Sequence, residues 1–370
     1  MKTWNLWLSS AFAGAILLLA AAAGWRAAPR DAAGPGAGAR WWNGAVTREF
    51  ESHYDAVFPT RALGINAWAA IGYVLFREGK PGVVVGRDGW LYTAEEFDAA
   101  PDAAAQVDAH LALVGSVREL LAARHSALLV ALVPAKARVR PEPLGARLPP
   151  PAHQALYARA LAGVQRQQIP APDLLAALSA CRRRGPPAEP MFLRTDTHWT
   201  PAGARCAAES LAGAARGAGL ATPRPGAYRT VVGGAVPHRG DLLAFLPLEP
   251  WFEGLLPPPD ALAVHRTEPL AASAGLLDDV AAPAVTLVGT SYSADARWNF
   301  AGALRQALGE DVVSYAAPAH GPFAPMLEYL DSPDFASAPP RLVIWEMPER
   351  YLPMRDGDGP SAPPAPGNPA

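Results

Sequence analysis

The chain of 370 residues is short of cysteine, of net charge, of internal repeats and of long apolar runs, and each shortage excludes something. Two cysteines, Cys181 and Cys206, are too few for a disulfide framework, and no His or Cys spacing around them suits a structural metal. In an exported protein the pair closes one bridge or stands as two separate buried thiols, and the sequence leaves both readings open. Lys and Arg total 32 against 34 Asp and Glu, so there is no basic field for nucleic acid and no acidic field for a cationic partner. Lack of a repeat removes solenoids and propellers. Half of the chain is hydrophobic, which excludes dominant disorder and suffices for one large domain, or one domain and a small appendage. The 40 prolines and 33 glycines rise together with Ala and Arg, so alanine-rich stretches count for little as helix signals.

The one long apolar run is Trp4 to Trp25, interrupted only by Asn5 and two serines, with Lys2 before it and Arg26 and Arg30 after it. It is long enough to span a bilayer as an uncleaved anchor, while the small residues Ala20 to Ala23 offer the end of a cleavable signal peptide. Either reading, over residues 1–26, sends the rest of the chain out of the cytoplasm. Residues 27–40, rich in Ala, Gly and Pro, read as a tether, and 355–370 as a disordered tail. Residues 41–354 are the expected folded body.

Within that body Ser126 to Val133 is a continuous apolar run suited to a strand buried on both faces. Val285 to Val288, Val312 to Tyr315 and Leu342 to Trp345 read the same way. A helix precedes the first of them, with Val107, Leu111, Val114, Val117 and Leu121 at helical spacing. The alternation predicts an α/β domain with a mainly parallel sheet flanked by helices, whose ligands sit beyond the carboxyl ends of the strands.

Two segments carry candidate chemistry. The strand VTLV runs into Gly289, Thr290 and Ser291 and then into a helix, which places the Ser291 hydroxyl at the sheet edge and its N–H at a helix start. The other reading is an ordinary turn with a helix cap. In the second segment Thr200 caps and Pro201 opens a helix to about Ala215, leaving Asp196 and His198 in the preceding loop. A serine hydroxyl needs a base within hydrogen-bond reach and a group to orient that base, and Asp-x-His supplies both if the loop turns correctly. The same spacing suits metal ligands, but no third ligand is as persuasive as Ser291 is as a nucleophile.

TDTHWTPAGA and VGTSYSADARWNF together are similar to the catalytic signature of the alginate O-acetyltransferase family, the AlgJ and AlgX proteins. Gly82 to Phe97, Leu132 to Glu142 and Leu342 to Leu352 resemble three further motifs in the same order. The resemblance implies an SGNH-hydrolase-like fold with rearranged motif order, Ser291 as nucleophile, His198 as general base and acid, and Asp196 as the orienting carboxylate. It implies acetyl transfer to an exopolysaccharide in the periplasm without a cofactor or metal, the acetyl group being delivered by a membrane-bound O-acyltransferase partner. No carbohydrate-binding module follows Leu352, which points to the AlgJ branch and leaves the polymer open. An esterase using water in place of a sugar, and a non-catalytic part of a secretion complex, are the competing readings.

Around the triad, Trp199, Tyr292, Arg297 and Trp298 are expected to line a sugar groove or to pack. Glu346 and Arg350 are expected to pair structurally, and Gly86, Asp88 and Gly89 to turn the chain so that Trp90 is pinned. The seven other histidines, His53, His110, His125, His153, His238, His265 and His320, read as surface or packing residues.

Overall fold

The structure is a computed structural model that describes residues 2–27, 42–58, 61–98, 101–147, 149–184, 189–222, 226–270 and 284–355. The expected tether and tail lie almost wholly outside the described residues. Two compact units divide the chain: Met1–Leu75 with Pro247–Leu255, and Phe76–Leu246 with Leu256–Ala370.

The first unit is helical, with α1 (Lys2–Ala27), α2 (Ala45–Val57) and α3 (Arg61–Ile71). Phe50, Tyr54 and Phe58 stack in sequence along α2 at centroid spacings of 5.7 and 5.4 Å, the neighbour relation that four-residue spacing on a helix imposes. Asn66 of α3 donates to the Pro247 carbonyl at 2.5 Å, which ties the 247–255 segment to the helices. Leu63, Ile65, Trp68, Ile71, Val74 and Leu75 are all exposed, Trp68 by 73%. Among the described residues no helix is long and apolar enough to cross a membrane, so the spanning role expected of α1 rests on its sequence.

The second unit is built on four parallel strands: β3 (Ala127–Val133), β6 (Val285–Val288), β7 (Val312–Ser314) and β8 (Leu342–Pro348), in the order β3-β8-β6-β7. They fall where the apolar runs predict. Alternation along each strand sends side chains to two opposite faces. Leu129, Val133, Val285, Leu287 and Ile344 pack under α6 (Leu174–Arg184), α7 (Pro201–Gly217) and α8 (Phe300–Leu308). Leu128, Val130, Leu132, Val343 and Trp345 pack under α4 (Ala103–Ala122), α5 (Pro151–Arg166) and α9 (Phe323–Leu330). A sheet covered on both faces explains why its strands are continuously apolar.

Two antiparallel hairpins complete the unit. β1 (Val83–Val85) and β2 (Leu91–Thr93) are joined by the expected turn, with Asp88 and Gly89 in the left-handed region and Trp90 buried. The pair β4 (Tyr228–His238) and β5 (Asp260–Pro269) has no counterpart among the expected strands. Its residues are mostly exposed and a bulge between Val232 and Ala235 breaks the register, so no burial period marks it in the sequence. The hairpin ends by pairing His238 with Asp260. Cys181 on α6 and Cys206 on α7 form a disulfide, which settles the alternative the sequence left open.

Candidate active site

Ser291 stands at the carboxyl end of β6, the second strand from one edge of the sheet, as the first residue of a single helical turn, Ser291–Ala294. The turn is held from below. Glu346, fully buried on β8, accepts the Thr290 N–H at 2.7 Å, the Thr290 hydroxyl at 3.0 Å and the Ser293 hydroxyl at 2.9 Å. Burial pushes the Glu346 carboxyl up, against the pull of these donors. A Cβ at Gly289 would come within 2.4 Å of the Glu346 carboxylate, so only glycine lets the two strands approach here. As the first residue of a helical turn, Ser291 has a backbone N–H with no acceptor inside the helix.

Asp196 and His198 lie in an irregular loop tied at several points. Within it Phe192 bridges Trp199, and Thr200 caps α7 by accepting the Gly203 N–H at 3.1 Å. Asp260 of β5 accepts the N–H groups of Arg194 and Thr195 at 3.1 and 3.0 Å, and Asp241 accepts that of Thr197 at 2.8 Å. Lys136, fully buried after β3, donates to the carbonyls of Leu91, Arg194 and Asp196 at 2.5, 3.0 and 2.9 Å. Burial draws the Lys136 ammonium down to about 8, although the charges of Glu96 and Asp196 oppose the shift.

The two segments meet through one imidazole. His198 Nε2 is 2.7 Å from Ser291 Oγ, and His198 Nδ1 is 2.7 Å from Asp196 Oδ1, although Ser291 and His198 are 93 positions apart. The other Asp196 oxygen takes His238 Nε2 at 2.7 Å and the Asp241 N–H at 3.3 Å. Burial alone would push the Asp196 carboxyl up; the hydrogen bonds from His198 and His238 outweigh it and hold the group well below the ordinary carboxylate range. Asp196 is buried while the His198 side chain is 13% exposed, so the imidazole is reachable from outside and the carboxylate is not. Asp196, His198 and Asp241 also each place one donor atom within 4.8 Å of the others, a spacing open to a cation. Both ring nitrogens of His198 are engaged by Asp196 and Ser291, so a cation there would compete with those contacts.

The structure thus gathers Ser291, His198 and Asp196 but treats the expected groove residues differently. Trp199, Tyr292 and Trp298 are at most 1% exposed, which leaves no face for a sugar. They pack around the site: Trp298 stacks on the His198 ring at 5.2 Å, and Trp199 donates to the Tyr292 carbonyl at 3.1 Å. The Tyr292 hydroxyl donates to the Thr197 carbonyl at 2.8 Å. Only Arg297 is exposed, paired with Asp295 at the rim. The expected Glu346 to Arg350 pair is replaced by two separate partnerships, Glu346 with Thr290 and Ser293, and Arg350 with Glu95 at 2.7 Å. His238 is no surface residue, for it bonds Asp196. It, Asp241 and Lys136 are the residues that sequence reading misses; the sole local sign is a His-Arg-Gly-Asp cluster of turn and polar residues at 238–241.

A family model described as the SGNH hydrolase-like domain of the acetyltransferase AlgX matches residues 83–349. A protein of Azotobacter vinelandii named probable alginate O-acetylase AlgJ is 46% identical over 361 residues, covering 95% of this chain and 90% of that protein. Its namesake in Pseudomonas aeruginosa is 44% identical over 354 residues, covering 93% and 88%. The solved O-acetyltransferase domain of Pseudomonas putida AlgJ superposes with a TM-score of 0.68 at 46% identity, covering 75% of this chain and 94% of that one. Pseudomonas aeruginosa AlgX, at 22% identity and a TM-score of 0.54 over 74% of this chain and 63% of its own, shares the fold. The chain belongs to the alginate O-acetyltransferase family with an SGNH-hydrolase-like domain, on its AlgJ branch.

Proposed function

We propose that the protein transfers acetyl groups to hydroxyls of an exopolysaccharide, alginate or a similar polymer, through an acetyl-Ser291 intermediate. The observation that carries the proposal is the double hydrogen bond of His198, 2.7 Å to the nucleophile and 2.7 Å to the carboxylate. The AlgJ relatives, named as probable alginate O-acetylases, support the acetyl chemistry and the polymer.

In this reading Ser291 Oγ attacks the carbonyl carbon of a donor acetyl ester and passes its proton to His198 Nε2, while Asp196 stabilises the imidazolium. The Ser291 N–H is the proposed oxyanion donor: it opens its helical turn, while the neighbouring Thr290 and Tyr292 N–H groups are taken by Glu346 and the Thr290 hydroxyl. The tetrahedral adduct collapses, the donor's oxygen leaves with the proton from His198, and the acetyl group remains on Ser291. A sugar hydroxyl then gives its proton to His198 and attacks the acetyl carbon, which releases the acetylated polymer and restores the serine.

The proposed site of action is the periplasmic face of the inner membrane, with a membrane-bound O-acyltransferase as the partner that delivers acetyl groups. The Cys181–Cys206 disulfide supports an oxidising compartment. The apolar run of α1 and the exposed Leu63, Trp68, Val74 and Leu75 in the same unit support a membrane-associated protein.

Incubating the full chain with a chromogenic acetyl ester and an oligouronate acceptor tests the activity. Acetyl groups appearing on sugar are expected. Free acetate alone, unchanged by acceptor, would make the protein an esterase, and no ester cleavage at all would leave the scaffold reading.

A further inference from the structure

We infer that His238 is a positioning residue for Ser291 chemistry: it ties down the second oxygen of Asp196, so that the carboxylate presents its first oxygen to His198 in one orientation. The inference rests on the proposed Ser291–His198–Asp196 reading.

Asp196 Oδ1 accepts twice from His198, from its backbone N–H at 3.0 Å and at Nδ1 at 2.7 Å. A carboxylate held by one oxygen is free to rotate about its terminal torsion, which is broad and shallow. His238 Nε2 at 2.7 Å and the Asp241 N–H at 3.3 Å remove that freedom by engaging Oδ2, and His238 makes the shorter bond. For His238 to donate from Nε2, its proton must sit there. Arg297 Nη1 lies 3.5 Å from His238 Nδ1, and a guanidinium only donates, so Nδ1 faces it with its lone pair. Arg297 therefore selects the tautomer in which Nε2 carries the proton.

The rings are fixed relative to each other by a single indole. Trp298, fully buried, stacks on His198 at 5.2 Å and meets His238 edge-on at 5.6 Å. His238 reaches Asp196 from the end of β4, and its cross-strand partner Asp260 holds the backbone just ahead of Asp196. One hairpin thus grips both the carboxylate and the loop that carries it. Among the described residues, the other charged groups around this cluster include Asp241, Asp260 and Lys136 from the loop side, and Arg297 with its partner Asp295 from the turn after Ser291. His238 stands apart from Ser291 chemistry itself, with Asp196 and His198 between them, so its effect passes through the carboxylate.

Covalent labelling of the full chain by phenylmethanesulfonyl fluoride reads this without any acetyl acceptor: Ser291 Oγ bonds to sulfur, fluoride leaves and the serine proton departs through His198. The rate is followed against pH for wild type, His238→Ala and His238→Gln, alongside thermal unfolding. With Oδ2 released, Asp196 leaves the single orientation that holds the protonated imidazole, so His238→Ala is expected to label about tenfold more slowly and to move the midpoint of the pH profile downward. His238→Gln, whose amide can donate from a similar place, is expected to restore most of both. An unshifted profile in His238→Ala, or a Gln variant no better than Ala at equal thermal stability, overturns the inference. Should wild-type Ser291 resist labelling altogether, the relay reading fails first and this inference with it.

Discussion

The two halves of the candidate active site are built by different means. Ser291 is delivered by the sheet: a four-residue strand, a glycine that lets strands approach, and a helix start together fix its position, with Glu346 bracing the turn from the next strand. The Asp196–His198 loop has no regular element to hold it. It is fixed by polar side chains from elsewhere in the chain, the buried Lys136 and His238 and the more accessible Asp241 and Asp260. The proposed nucleophile therefore depends on packing of the core, and the proposed base on a few polar ties whose loss leaves buried groups unsatisfied.

The largest contrast should come from chemistry rather than folding. Ser291→Ala and His198→Ala are each expected to lower acetyl transfer by about 10⁴-fold or more while thermal unfolding changes little. Steady-state rates and a melting curve on the same samples check both halves of that statement.

Next in size are changes that separate the two modes of support. Lys136→Met strands three carbonyls and removes the cation next to buried Glu96, at a cost of about 4 kcal/mol in urea denaturation. Glu346→Gln keeps an acceptor oxygen but faces the Thr290 N–H and two hydroxyls with an uncharged group, at about 2 kcal/mol. If the loop is the more dependent half, Lys136→Met should also slow Ser291 labelling more than Glu346→Gln does.

What was legible in the sequence follows the same division. The four central strands and the helices before and after them are readable because burial on both faces makes strands continuously apolar and helices periodic. Serine, Asp-x-His and their order are readable because their chemistry needs those residue types. The ties are not: His238 meets Asp196 across 42 positions and Lys136 across 60, and no periodicity links such partners. Trp199, Tyr292 and Trp298 adjoin reactive residues in the chain, but adjacency does not say which side faces solvent, and all three point into the core. The disulfide was open because the spacing of two cysteines does not specify whether they meet.

The smallest expected effect is a pH dependence of stability at the turn that carries Lys136. Glu349 accepts the Ala135 N–H and pairs with Arg138, beside the turn that carries Lys136, and burial pushes its carboxyl up to about 7. A carboxyl raised on folding lends stability that is fully present below its unfolded value near 4.5 and is lost as pH rises through 7. Urea denaturation from pH 4 to 8 should show this loss, on the order of 2 kcal/mol, in wild type and a flatter profile in Glu349→Gln.

Trapping an acetyl group on Ser291 is the decisive experiment for the proposed chemistry. The full chain, mixed with an acetyl ester without acceptor, is quenched in acid and its peptides are weighed. One acetyl group is expected on the peptide containing Ser291 in wild type and none in His198→Ala. Acetyl on another residue, or ester turnover with Ser291 always bare, would contradict it.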